Sequence, residues 1–298
     1  MSKVKSLSVG NGDMFYIRHN SDNFTTIDSC LTDDVKDDIL DEIETESSGK
    51  GIKRFISTHP DDDHIKGLVE YDDKFGILNF YRVDNNTTKN GTETDDFKMY
   101  KKLRDDSKKS FELKKGCKRK WMNESDNERG GAGLYCLWPI TDDDLYKEAL
   151  ETAADGGSPN NISPAIKYLV GKFSFLWMGD METDMQEEFD KKVTNTHKTI
   201  VFAPHHGRKT GHIPKSLMDK LTPKLVIVGE ASSDELDYYS GYNTITQNTA
   251  GDILFETNGD YLDIFVSEDG YNKTDGMVTN ANHDSHDGMK YLGSIKEN

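Results

Sequence analysis

Apolar positions along the chain recur with the periods of short strands and amphipathic helices. Val4, Leu7 and Val9 mark a strand over residues 4–9, Gly10-Asn11-Gly12-Asp13 is turn-forming, and residues 14–18 and 24–28 supply two more strands. The chain therefore opens as a β-meander, with Asp13 and Asp28 as turn or cap residues at strand ends. Val35, Ile39, Leu40 and Ile43 fall at helical spacing within residues 33–45. A strand over 53–57, a helix over 65–75 and a strand over 77–83 follow. The core resumes with a strand over 133–139 and a helix over 141–154. A hairpin of strands 165–170 and 173–178 then turns at Gly171-Lys172. A helix over 185–193, a strand over 199–203, a helix over 215–221 and a strand over 225–228 come next. Strands 252–256 and 261–266 close the pattern around Asn258-Gly259. Residues 232–246 are polar and tyrosine-rich, the pattern of a mobile loop at a pocket mouth. Interleaved strands and helices place the chain in the mixed α/β class, and no repeat appears at solenoid spacing.

Two stretches depart from this rhythm. From 84 to 133 aliphatic residues become sparse, and a basic tract appears: Lys98, Lys101, Lys102, Arg104, Lys108, Lys109, Lys114, Lys115, Lys118, Arg119 and Lys120. Phe97, Tyr100, Leu103, Phe111 and Trp121 are interleaved with it. The tract reads either as an arm that neutralises substrate phosphates and stacks on bases, or as a solvated helix whose lysines balance acids elsewhere. Residues 268–298 read as a polar tail, in which His283 and His286 lack a framework that would make them metal ligands.

Composition sharpens the first choice. The 298 residues carry a formal net charge of -17, and 34% of them are hydrophobic. So acidic a surface repels polyanions, so contact with nucleic acid requires a local basic patch or a bound cation. Cys30, Cys117 and Cys136 form no CxxC pair, which argues against a disulfide framework and for a reducing compartment. Met1-Ser2-Lys3-Val4-Lys5 lacks the apolar core of a signal peptide, and no apolar run approaches the roughly 20 residues of a membrane span. A soluble cytoplasmic protein is expected.

The candidate chemistry lies at strand ends. Thr58-His59-Pro60-Asp61-Asp62-Asp63-His64 follows the strand over 53–57, putting two histidines and three aspartates on one strand-to-helix turn. Imidazole nitrogen and carboxylate oxygen together suit a divalent cation of intermediate hardness. An acidic helix cap accounts for one or two aspartates but not for histidines on both sides of them. Gly179-Asp180 ends a second strand, and Pro204-His205-His206-Gly207 ends a third. Each alone is an ordinary turn or cap; their recurrence at three strand ends argues for one metal site.

These motifs, in this order, resemble the metallo-β-lactamase superfamily. More narrowly, they resemble the soluble hydrolase domain of bacterial competence DNA-uptake proteins. Val9-Gly10-Asn11-Gly12-Asp13, Ile27-Asp28-Ser29, Asn161-Ile162-Ser163 and Thr249-Ala250-Gly251-Asp252-Ile253 are similar to elements of that branch. The likeness runs from about residue 4 to 267 and excludes the basic tract and the tail. It implies a four-layer αββα sandwich over residues 1–267, with an insertion at about 84–133. It also implies two divalent metal ions (Mn, Zn or Mg). His59, Asp61 and a later histidine, His205, would hold the first ion, Asp63 and His64 the second, and Asp180 would bridge them. Asp63 would orient the attacking water, His206 would contact the leaving group or act as general acid, and Lys209 would contact phosphate.

Asp61 stands where the superfamily has histidine, and this harder ligand favours Mn or Mg over Zn. The usual third-motif histidine is missing, with Ser163 at the branch's own polar position. The implied activity is a metal-dependent phosphodiesterase, a nuclease on DNA or RNA. The alternatives are hydrolysis of a small ester, lactone or nucleotide, and a catalytically silent partner-binding protein. The companion membrane channel of the competence proteins has no counterpart in the chain, and the sequence names no protein partner.

Overall fold

Successive residues of a strand face opposite sides of its sheet, so one strand can serve two cores. Phe15 and Ile17 point into one buried cluster, while Met14 and Tyr16 point into the other. Phe55 and Ile56 divide in the same way. This double-sided burial is the mark of a layered sandwich.

The computed structural model describes residues 1–194, 197–230 and 237–297. Among the described residues the strands form two mixed sheets. The nine-stranded sheet runs, in spatial order, Lys290–Lys296, Tyr261–Val266, Ile253–Asn258, Lys3–Ser6, Phe15–Arg18, Asn23–Ile27, Ile52–Ile56, Phe80–Arg82 and Ser110–Glu112. It is antiparallel up to Asn23–Ile27 and parallel from there to Ser110–Glu112. The six-stranded sheet runs Thr244–Thr246, Leu225–Val228, Ile200–Phe202, Phe173–Trp177, Ala165–Val170 and Leu134–Trp138, with its first four strands parallel.

Aromatic residues fill the space between the sheets. Trp177 stacks on Phe202 with ring centroids 4.8 Å apart, Phe15 meets Phe202 edge-on at 5.0 Å, and Phe255 meets Phe175 at 5.6 Å. Helices Lys36–Ser47, Leu68–Phe75 and Asp95–Asp105 bury Ile43, Tyr71 and Phe97 against the outer face of the first sheet. Helices Asp144–Ala154, Thr183–Lys192 and Lys215–Leu221 bury Tyr146, Phe189 and Leu217 along the second. The result is the expected four-layer αββα arrangement. No helix among the described residues is long and apolar enough to cross a membrane.

Several local expectations are corrected. The helix over 65–75 is two helices, Asp62–Ile65 and Leu68–Phe75, broken at Gly67 (φ 78°). A Cβ at Gly67 would lie 2.5 Å from that of Leu31, so only glycine fits this tight turn. The segment after 267 is not merely a tail: Lys290–Lys296 pairs antiparallel with Tyr261–Val266 and closes the edge of the first sheet. His286 bonds Glu256 at 2.8 Å, and His283 stacks on Tyr291, which gives both histidines structural roles.

The 84–133 segment also belongs to the core. Ser110–Glu112 extends the first sheet, and Phe97, Tyr100 and Leu103 are at most 1% exposed. Three of the interleaved apolar residues therefore cannot stack on bases. Of the tyrosine-rich loop expected over 232–246, residues up to 236 lie outside the described residues. Tyr239 is fully buried and Thr244–Thr246 is a strand.

Candidate metal centre

The strand directions bring five chain segments to one edge of the sandwich. Asn23–Ile27 delivers Asp28, Ile52–Ile56 delivers the 57–64 turn, Phe173–Trp177 delivers Asp180, and Ile200–Phe202 delivers His205 and His206. The turn after Lys3–Ser6 brings Asp13, whose N–H donates to the Asp63 carbonyl at 3.2 Å. The His205 N–H donates to the Gly179 carbonyl at 3.1 Å, locking two of the loops together. Gly179 (φ 52°) packs so tightly that a Cβ there would come within 2.8 Å of Ser163 Oγ and 2.9 Å of Thr58 Cβ. Asp28, His205 and His206 hold left-handed backbone (φ 55°, 52° and 55°). That conformation costs a non-glycine residue about 1–3 kcal/mol, and such strain gathers where side-chain aim matters more than local comfort.

Asp180 is the hub. Its Oδ1 lies 3.0 Å from His64 Nε2, and its Oδ2 lies 3.6 Å from His205 Nε2, 3.7 Å from His206 Nε2 and 3.9 Å from His59 Nε2. Asp63 Oδ2 is 3.6 Å and Asp13 Oδ1 3.2 Å from the two nitrogens of His206. Asp61 is the outlier: half open to solvent, it approaches His59 Nε2 only to 4.0 Å. Ligand atoms of Asp13, His64, Asp180 and His206 all lie within 4.8 Å of one another. The site is thus gathered about Asp180: its Oδ1 faces His64 and its Oδ2 faces His59, His205 and His206, with Asp61 near His59 and with Asp13 and Asp63 beside His206.

A second layer fixes which imidazole nitrogen faces inward. Asp28, 1% exposed, accepts from the Thr58 N–H (2.7 Å), the Thr58 hydroxyl (2.6 Å) and His64 Nδ1–H (2.9 Å). With its proton given to Asp28, the Thr58 hydroxyl accepts from His59 Nδ1–H at 3.1 Å, and Ser163 Oγ stands 3.3 Å from the same nitrogen. Both rings therefore present Nε2 to the centre. The Nε2 atoms of His59, His64 and His206 and Oδ1 of Asp180 are buried without a hydrogen-bond partner. His64 Nε2 and Asp180 Oδ1 stay unaligned despite their 3.0 Å separation. Ligand atoms collected and left unsatisfied in one dry volume are what a divalent cation completes, so these residues fit a metal.

The electrostatics are those of a cluster that trades protons for metal. Burial pushes the Asp180 carboxyl up, but His64, His206 and His59 hold it well below the usual carboxylate range. Burial works likewise against Asp63, yet the neighbouring His206 and His64 imidazoles bring it down to about 2. Burial opposes protonation of His64 and His206; Asp180 and Asp28 outweigh it for His64, and Asp13 and Asp63 lift His206 to about 10. His59, beside His64 and equally buried, is depressed to about 3 and is ready as a neutral ligand. Burial raises Asp61 to about 6. Cation binding would expel protons from His64 and His206.

Sequence reasoning found the 59–64 turn, Asp180 and the histidine pair, and missed Asp13 and Asp28. It preferred His205 as the ligand without being able to separate the pair; in the structure His206 is the fully buried member and lies within the tight group of four. His205 is more exposed and faces the Arg208 guanidinium at 3.3 Å. Arg208 is held in turn by Asn11. Lys209 is exposed in the one-turn helix Lys209–Gly211 that follows the pair.

No protein-family model and no curated protein matches the chain in sequence. Among solved structures the chain is similar to Igni18, a metallo hydrolase from the hyperthermophilic archaeon Ignicoccus hospitalis KIN4/I. The TM-score is 0.50 and the identity 13%, over 86% of this chain and all of that one. The fold is of the metallo-β-lactamase type. CmlA, a diiron β-hydroxylase from Streptomyces venezuelae, aligns at TM-score 0.43 and 11% identity over 78% of this chain and 45% of its own length. The first likeness concerns the fold, and the second is too distant to weigh.

Proposed function

We propose that the chain is a metal-dependent hydrolase that cleaves phosphodiesters of nucleotides or short nucleic acids. The observation that carries the metal reading is the set of buried, unpartnered ligand atoms around Asp180. Four histidines and three further aspartates gathered about Asp180, more ligands than one ion takes, support two ions, and the ordered likeness to the competence-protein hydrolase domain supports the phosphodiester substrate. Bound divalent ions would supply Lewis acidity at phosphoryl oxygen and a lowered pKa for the attacking water.

The chain's own residues divide the remaining work. Asp28 and Thr58 hold His64 and His59 in the tautomers that keep Nε2 free. Asp180 presents both carboxylate oxygens to the surrounding histidines, and His206 is the ligand of the pair. Asp63, ionised and partly open to solvent, is placed to accept a hydrogen bond from water and fix its orientation. His205, at the more open rim with Arg208 beside it, is placed to meet the leaving oxygen. Arg208 offers the planar, permanently charged fork suited to phosphate oxygens, ahead of Lys209.

A small substrate is favoured over a long polymer, because five of the eleven cations of the basic tract are matched by nearby acids. Lys98 pairs with Asp95, Lys101 with Glu93 and Lys114 with Glu112. The decisive experiment loads metal-stripped protein with Mn, Mg or Zn and offers dinucleotides, short DNA and RNA strands and a phosphodiester chromogen beside Asp63→Ala. Metal-dependent cleavage lost in the variant is expected. Cleavage of carboxyl esters or lactones with no phosphodiester turnover would replace this reading with the small-ester one.

A further inference from the structure

The Asp61 side of the centre opens into a groove of about 290 Å³ between residues 87–90 and 156–159. Its walls are fastened to each other. The Thr88 N–H and hydroxyl donate to the carbonyls of Ala153 and Ala154 at 3.1 and 2.7 Å, and Asn90 Nδ2–H donates to the Gly156 carbonyl at 3.0 Å. A Cβ at Gly156 would approach Asn90 Oδ1 to 2.9 Å, so the Asn90 side chain lies directly against the opposite wall. The groove is therefore a fixed feature at the small end of the size range of ligand sites.

Its lining is chemically selective. The side chains are those of Asp61, Thr87, Thr88, Lys89, Asn90, Ser158 and Pro159, with no aromatic ring among them. Phe97 is fully buried beneath Lys89, whose Nζ stands 5.1 Å from the ring centroid and is held by Asp62. Thr87 is 2% exposed, and its Oγ1 has no hydrogen-bond partner. A buried hydroxyl left unpaired costs about 1–3 kcal/mol, a cost that a ligand hydroxyl would relieve. Hydroxyls, an amide, the Asp61 carboxylate and one cation, without an aromatic face, suit a polyhydroxylated ring joined to an anion. They do not suit a nucleobase or an acyl chain.

We propose that this groove is a sugar subsite. It takes the ribose next to the phosphate at the metal centre, with Thr87 and Asn90 reading the sugar hydroxyls and Lys89 facing a flanking phosphate. The assignment rests on the phosphodiesterase reading for the placement of the phosphate, and it narrows that reading to ribonucleotides.

Binding tests it without turnover. The manganese-loaded protein would be titrated calorimetrically with inorganic phosphate, ribose 5-phosphate and 2-deoxyribose 5-phosphate. Ribose 5-phosphate should bind best, about fivefold to tenfold tighter than the deoxy sugar, the worth of roughly one hydrogen bond. Thr87→Val, which keeps volume and removes the hydroxyl, should erase that preference, and Thr87→Ser should restore it. Ser158→Tyr, on the exposed wall, should reduce both sugar phosphates to the affinity of inorganic phosphate. Equal binding of all three probes, or a preference indifferent to both Thr87→Val and Ser158→Tyr, would overturn the subsite. The two readings fail separately. Selective sugar-phosphate binding without phosphodiester cleavage removes the reaction and keeps the groove. Cleavage with no sugar preference removes the groove alone.

Discussion

Two regions of this molecule look alike in sequence: the 57–64 turn with its later partners, and the basic tract of 84–133. Both concentrate charge and rings. Folded, they are opposites. In the tract, Arg104 closes on Asp105 at 2.7 Å and Lys120 reaches Asp126 at 3.3 Å, while Phe97 and Tyr100 are core residues. Around Asp180, carboxylates and imidazoles are buried deeper, and atoms are still left over. Charge density alone therefore marks no function. What marks it is polarity that the fold buries and then fails to satisfy, because each such atom costs about 1–3 kcal/mol unless something else completes it.

The contrast can be broken most severely from the tract's side. Phe97→Ala should destabilise the protein by about 3–5 kcal/mol, through the burial it forfeits and the cavity it leaves. Denaturant unfolding measures this. A variant as stable as the parent would show that Phe97 is no core residue and would return the aromatics to a binding role.

From the other side, Asp180→Asn keeps the shape of the hub and removes its charge. Metal affinity should fall by more than about 100-fold, beyond the 10–100-fold typical of outer-shell partners. The circular dichroism spectrum should stay unchanged. Metal analysis after dialysis reads the effect, and full retention of two equivalents would displace Asp180 from the centre.

Asp28→Asn probes the supporting layer. Asparagine can still accept from the Thr58 N–H, but it meets His64 Nδ1 with a neutral amide in place of a carboxylate. A loss of about 10–100-fold in metal affinity is expected, smaller than at Asp180. A loss equal to that of Asp180→Asn would make Asp28 a ligand rather than a support.

The difference between what could and could not be read follows the same line. His59, His64, Asp180 and the histidine pair were legible because each motif stands at the end of a strongly apolar run. Asp13 and Asp28 were not, because a single aspartate at a turn looks like any cap. Only the pairing of Lys3–Ser6 with Phe15–Arg18, and of Asn23–Ile27 with Ile52–Ile56, carries them to the centre. His205 and His206 are adjacent and chemically identical, so their ranking depends on consecutive left-handed residues that composition does not reveal. The tract's buried stripe was visible in principle, since Phe97, Tyr100 and Leu103 recur every third residue, but eleven cations drew attention from it. Lys290–Lys296 was hidden by its polar neighbours and by Gly293 within the strand.

The finest test of the contrast is also the gentlest change. Lys98, Lys101, Lys114 and Lys120 replaced together by glutamine should alter stability by less than about 1 kcal/mol per pair, the usual range for exposed ion pairs. If their charges serve local acids, cleavage of a dinucleotide should keep its rate, and log affinity for a short oligonucleotide should keep its slope against log salt. If they serve substrate phosphates, the slope should shrink by about 0.7 for each phosphate of the single strand that is no longer neutralised. An unchanged slope shows that these four lysines serve their acids and not the substrate. A slope smaller by about 1.4 or more, the worth of two phosphates, would show that the ion pairs open for a polymer, and the tract would belong to the site after all.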